Sequence, residues 1–147
     1  MRLTSFTDFG LRALMRMASA PDQAFSTATL ADEFGLSRHH LTKIMAALAQ
    51  AGIVTTRRGS GGGAMLARPA PAIGLGEVVR VLEAGQALVA CFDAGGAGCS
   101  LIGGCRLQAR LRAAEAAFLA DLDRATLADI ALPVVPGDLA LPRRVDA

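Results

Sequence analysis

The tripeptide Gly35-Leu36-Ser37 constrains this chain more than any other feature, because it separates two runs whose apolar residues recur at helical spacing. Before it, Leu30, Ala31 and Phe34 form a stripe behind Ser26 or Thr27, either of which can cap a helix. After it, Leu41, Ile44, Met45 and Leu48 form a second stripe, with Ser37 as N-cap and Gly52 as terminator. Two capped helices joined by so short a turn make a helix-turn-helix. Ile53-Val54-Thr55-Thr56 then favours a strand, Gly59-Ser60-Gly61-Gly62-Gly63 a hairpin tip, and Ala64-Met65-Leu66-Ala67 a returning strand. A hairpin placed there is a wing, so the expected fold class is mainly α with a small β-hairpin.

The flanking segments complete the plan. Between Thr4 and Ser19, Phe6, Phe9, Ala13, Leu14 and Met17 recur as on one helix face, while Asp8, Arg12 and Arg16 lie four apart on another. Leu75, Val78, Val79 and Leu82 predict a fourth helix ending near Gly85. From Arg106 to Arg124, Leu107, Leu111, Ala114, Phe118 and Leu122 mark a helix of 19 residues, roughly 28 Å long. Such an arm can pair with a second copy or fold back on its own lobe. Thr126 is placed to cap a last short helix through Ile130. The expected organisation is a winged helix-turn-helix DNA-binding region over 1–83, a cysteine cluster-binding loop over 84–105, dimerisation helices over 106–131 and an extended or disordered tail over 132–147.

At 147 residues the chain suffices for one core with an appended element, but not for two ordinary domains. It has no apolar run long enough to span a membrane, and Thr7, Asp8 and Arg12 interrupt any signal-peptide pattern, so a cytoplasmic protein is expected. Residues 1–70 carry eight Arg/Lys against four Asp/Glu; residues 71–147 carry seven against nine. The basic excess therefore belongs to the N-terminal half, where a phosphate-facing surface would need it.

With the third helix's stripe turned inward, Ser37, Arg38, His39, His40, Thr42 and Lys43 cluster near its N-terminal end. Arginine can pair bidentately with guanine there, and Thr or His can make single contacts in the major groove. In the wing, Arg57 and Arg58 precede a tip slim enough to approach a narrow groove. No Lys-Ser or Lys-Thr follows the glycines, which excludes a phosphate-binding ATPase loop. No Ser-His-Asp, nucleotide-binding or paired-carboxylate arrangement stands out, and no enzymatic activity is assigned.

Cys91, Cys99 and Cys105 follow a C-x7-C-x5-C pattern across a glycine-rich loop. Three thiols without an export signal do not make a disulfide framework. Zinc sites favour ligands two to four residues apart, whereas an iron–sulfur cluster accepts a wider loop; spacing alone leaves the cluster level with three incidental thiols. The pattern also lacks the C-x-x-C of dithiol exchange, which weighs against a thiol-redox enzyme or cluster-transfer scaffold.

Leu3-Thr4-Ser5-Phe6-Thr7-Asp8-Phe9-Gly10-Leu11-Arg12-Ala13-Leu14 resembles the opening of NsrR-type repressors, within a winged-helix iron–sulfur regulator family that also includes IscR and RirA. The likeness continues through Ser37-Arg38-His39-His40, Arg57-Arg58-Gly59, Gly62-Gly63, Gly76-Glu77-Val78-Val79-Arg80, the three cysteines and Thr126-Leu127-Ala128-Asp129. The resemblance implies a homodimer on palindromic double-stranded DNA and a 4Fe–4S cluster on Cys91, Cys99 and Cys105, with Asp8 of the opposite subunit as fourth ligand. It also implies nitric oxide as the signal that removes repression. From the residues alone, Asp8 is a first-turn surface carboxylate paired with Arg12; both roles can hold in turn, Asp8 binding iron and then Arg12. The x7 interval is nearer that of the iron-responsive RirA relatives, which keeps an iron or iron–sulfur-status signal as the alternative. Gln108 stands where IscR-like members carry a histidine, which weighs against the alternative 2Fe–2S cluster.

Overall fold

A computed structural model describes residues 3–57, 59, 62–92 and 105–133. Helix α1, Ser5–Ala18, starts at Thr4, whose hydroxyl accepts the Thr7 N–H at 3.3 Å. Asp8 in its first turn and Arg16 in its last both suit the helix dipole. Helix α2, Thr27–Phe34, is capped by Ser26, whose hydroxyl accepts the Thr29 N–H at 2.9 Å. Gly35 takes the left-handed conformation at φ 62°, which lets the Leu36 N–H reach back to the Ala31 carbonyl at 2.8 Å. This is the ending that an L side chain at position 35 would strain.

Helix α3, Arg38–Gln50, ends the same way, with Gly52 at φ 70° and the Ile53 N–H bonded to the Leu48 carbonyl at 2.9 Å. Ser37 occupies the N-cap position but makes no capping hydrogen bond with its side chain. Strands β1, Val54–Arg57, and β2, Gly63–Leu66, pair antiparallel, with Val54 opposite Leu66 and Arg57 opposite Gly63. Phe25 exchanges both backbone hydrogen bonds with Ala64, at 2.9 and 2.8 Å, which ties the approach to α2 onto the wing. The expected winged helix-turn-helix, mainly helical with one small hairpin, is the fold observed.

Helix α4, Leu75–Leu82, closes the core from the other side. Leu14, Met17, Leu30, Leu41, Ile44, Leu48, Ile53, Ile73 and Val78 are fully buried within one apolar cluster. Side chains of this size each contribute about 1.5–3 kcal/mol by leaving water. Gly10 permits a close crossing of α1 and α4: a Cβ there would stand 2.5 Å from Leu82 Cδ1.

Helix α5, Arg106–Leu122, starts where its periodicity predicts but ends two residues earlier, at 17 residues with Asp123 as its C-cap, and none of its residues is fully buried. Leu107 is 64% exposed, whereas Leu122 packs against the core at the other end. That end is clamped: Arg80 donates Nη1 and Nη2 to the two carboxylate oxygens of Asp123 at 2.7 and 2.5 Å. Gly76, buried in α4, leaves room for this pair, since a Cβ would collide with the Asp123 carboxylate.

The predicted short helix from Thr126 does not form. Residues 127–130 are turns, and Thr126 instead pairs with Gly74 as an isolated bridge. The Leu75 N–H takes the Ala125 carbonyl and the Leu127 N–H takes the Ile73 carbonyl, each at 2.9 Å, so this backbone is committed to a distant segment. Asp129 does accept the Thr126 N–H at 2.7 Å and its hydroxyl at 2.8 Å, which is the local contact the spacing suggested.

Candidate nucleic-acid interface and cysteine loop

Burial of Leu41, Ile44, Met45 and Leu48 fixes which way the rest of α3 faces. Ser37, Arg38, His39, Thr42 and Lys43 are all exposed near its N-terminal end, as the inward stripe requires. The Thr42 hydroxyl donates to the Arg38 carbonyl at 2.8 Å, the usual back-bond of a helical threonine. Arg38 is paired with Asp32 of α2. His40 is placed differently from its neighbours. It is half-buried, with its ring 5.8 Å from that of Phe6 and 5.6 Å, edge-on, from that of Phe9, so it packs toward α1.

In the wing, Thr55, Thr56 and Arg57 are exposed on β1, and Arg58 lies outside the described residues. Sequence reasoning gave the tip glycines to groove access, but Gly62 and Gly63 have a nearer cause. A Cβ on Gly62 would collide with the Arg57 carbonyl, and one on Gly63 would lie 2.7 Å from the Phe25 carbonyl oxygen. These two glycines close the hairpin and seat Phe25; Gly59, at φ 110°, supplies the turn itself.

Cys91 lies in a 3-10 turn, Ala90–Phe92, and Cys105 immediately precedes α5; both are half-buried. Cys99 and the loop over 93–104 lie outside the described residues. Two contacts bring the loop's ends to the same place: Gln108 Nε2 donates to the Cys91 carbonyl at 3.5 Å, and the Arg112 guanidinium stands 4.6 Å over the Phe92 ring. Two of the three cysteines therefore belong to backbone at the start of α5, whose partial positive charge favours an anionic occupant. As a donor set this fits a thiolate-bound iron–sulfur group. Among the described residues no three His, Cys, Asp or Glu side chains converge as metal ligands. Sequence reasoning treated Gln108 only as a missing histidine; its position one turn into α5 from Cys105 could have suggested the tether.

Asp8 and Arg12 form the i,i+4 pair expected from the residues alone, with Arg12 Nη2 2.8 Å from Asp8 Oδ2 and both about half exposed. The N-terminus of the same helix is held by a residue that sequence reasoning missed. Glu83, at the end of α4, accepts the Thr4 N–H at 2.8 Å and the Thr4 hydroxyl at 2.9 Å through Oε1. A helix usually completes this reciprocal cap with its own third residue, but Thr7 is too short to do so. Burial of the Glu83 carboxylate works against its ionisation; hydrogen bonds from Thr7 and Thr4 outweigh that and hold it below the usual glutamate range.

Because the folded value is depressed, this contribution is complete above the ordinary glutamate pKa of about 4.3 and is lost as pH falls through the folded value. Glu83→Gln is expected to cost about 0.5–1 kcal/mol at neutral pH, discounted for solvent screening, and to flatten the acid limb of the stability profile. Urea unfolding from neutral pH down to about pH 3, at fixed protein concentration, checks this; parallel wild-type and variant curves would refute it.

A helix-turn-helix with an outward polar helix face and an adjoining two-stranded wing defines a winged-helix protein of the kind that regulates transcription. The chain belongs to the Rrf2 family: the family profile described as "Rrf2: Iron-dependent Transcriptional regulator" matches residues 3–132. Among solved structures it is similar to T. potens IscR, at 26% identity and a TM-score of 0.68 over 88% of this chain and 85% of that one. The oxidized form of Staphylococcus aureus CymR is similar at 25% identity and a TM-score of 0.68, over 92% and 99% of the two chains. CymR of B. subtilis, the global cysteine regulator of that organism, shares 23% identity over 89% and 96%, also with a TM-score of 0.68, a likeness of fold. No helix among the described residues is long and apolar enough to cross a membrane.

Proposed function

We propose that two copies of this chain form a cytoplasmic repressor whose hold on a palindromic operator depends on a 4Fe–4S cluster bound by Cys91, Cys99 and Cys105, with Asp8 of the partner subunit as fourth ligand. The observation that carries this reading is that Gln108 and Arg112 tether the Cys91–Phe92 turn to the end of α5 that Cys105 begins. When bound, the cluster supplies an iron centre that nitric oxide can nitrosylate. The chain's own residues do the rest. Arg38, His39, Thr42 and Lys43 face the major groove, with Ser37 at the start of the helix, and His40 sets that helix against α1. Arg57 and Arg58 reach the flanking minor groove. The exposed apolar residues of α5, Leu107 foremost, are covered by the second copy. When Asp8 is not engaged elsewhere, it pairs with Arg12.

A second signal, iron or iron–sulfur status, is favoured by the description of the matching family profile as iron-dependent. Anaerobically purified protein should contain iron and sulfide and should shift a promoter duplex much more strongly than cluster-free protein at the same salt concentration. Titration with nitric oxide against titration with an iron chelator separates the two signals. Equal DNA affinity with and without the cluster would refute cluster control. Turnover of a thiol substrate with no DNA affinity would instead indicate a redox enzyme or scaffold.

A further inference from the structure

Arg38 opens α3 at its exposed end, but its guanidinium is already committed. Nη2 donates to both carboxylate oxygens of Asp32, at 3.2 and 3.1 Å, from the last turn of α2. Both side chains are 66% exposed, and ion pairs this open contribute little to stability. The effect of the pair is geometric. It biases a planar, five-donor fork toward one orientation, while Nη1 and Nε have no partner among the described residues. The Arg38 backbone is held as well, since its carbonyl accepts the Thr42 hydroxyl at 2.8 Å.

We propose that Asp32 is a specificity-determining residue of the DNA interface, which aims Arg38 at a base edge and withholds it from phosphates. An unpaired arginine at a helix N-terminus is drawn to any phosphate, and each such contact adds sequence-independent affinity by releasing a counterion. The neighbouring carboxylate cancels much of that attraction. It leaves the second N–H of Nη2, together with Nη1 or Nε on the same edge, able to meet guanine O6 and N7, the pairing that carries sequence information. Holding the fork in place before binding also lowers the side-chain entropy lost on contact. The proposal rests on the reading of α3 as a DNA-contacting helix and is independent of the cluster.

The test selects duplexes from a pool randomised over about two helical turns, using the full-length wild type, Asp32→Asn, Arg38→Ala and the double variant. Asp22→Asn, at an exposed position between α1 and α2, serves as a charge-matched control. Wild type should enrich a symmetric motif with a G·C pair that Arg38→Ala no longer selects. Asp32→Asn should lose preference at that same pair while binding random-sequence duplex more tightly, so that the specific-to-random ratio falls about 5- to 100-fold. Asp32→Glu should restore part of the ratio. In the Arg38→Ala background, Asp32→Asn should change the ratio no more than Asp22→Asn does. Full retention of the motif by Asp32→Asn, or an equal loss in the absence of Arg38, overturns the proposal. If wild type enriches nothing either as purified anaerobically or without its cluster, the DNA-contact reading falls with it, whereas equal enrichment by the two forms removes cluster control alone and leaves it standing.

Discussion

Leu127→Ala is expected to lower stability by about 3 kcal/mol, within the range of about 2–5 for emptying a fully buried leucine site. Leu127 is wholly inaccessible, yet it lies beyond α5 in a segment of turns. Its side chain joins the cluster shared by α1, α3 and α4, and its N–H is bonded to Ile73. Leu122 and Ile130 on either side are only partly buried against the same core, so Leu127 is the deepest anchor of this segment among the described residues. For a chain of this length the loss corresponds to a drop of about 10 °C in melting temperature at fixed protein concentration. Leu107→Ala is the informative comparison. At 64% exposure it should cost almost nothing within one protomer, so any loss of stability or dimerisation in solution reports contacts made by a second copy.

Cys105→Ala should have the larger functional effect. Cys105 immediately precedes α5, so its thiol position is set by the helix itself, whereas Cys91 depends on the Gln108 and Arg112 tethers. Anaerobic protein carrying this variant should contain little or no cluster iron and should bind the promoter at least about tenfold more weakly than wild type, a loss of about 1.4 kcal/mol. Iron analysis and anisotropy titrations at constant salt measure both. Gln108→Ala should give an intermediate result, with a cluster that forms but is lost faster. Wild-type iron content in Cys105→Ala would remove that cysteine from the ligand set.

The helix-turn-helix and wing were legible in the sequence because each boundary carries its own local chemistry. Ser26, Gly35 and Gly52 stop or start helices through contacts within six residues, and Leu41, Ile44, Met45 and Leu48 announce their face by spacing alone. Features decided between distant segments were not legible. Thr126 and Asp129 have the spacing of a helix cap and make that contact, but Ile73 and Leu75 claim the adjoining backbone. Glu83 caps a helix that starts 79 positions earlier in the chain. Arg38 was legible as a surface cation, whereas its pairing with Asp32 depends on the angle between α2 and α3. His40 reads as one more polar residue of the recognition helix until Phe6 and Phe9 are found beside it.

The clamp of Arg80, Asp123, Thr126 and Leu127 gives α5 the mechanics of a hinged beam. One end is fastened to the lobe that carries the recognition helix, while the other carries Cys105 at a distance of roughly 26 Å, the length of 17 helical residues. A tilt of about 5° at the fastened end sweeps the far end through roughly 2 Å, comparable to a metal–ligand bond length. Under the proposed function, a small rearrangement at the cysteines would reach the lobe that carries α3 through this helix, with the leverage set by helix length.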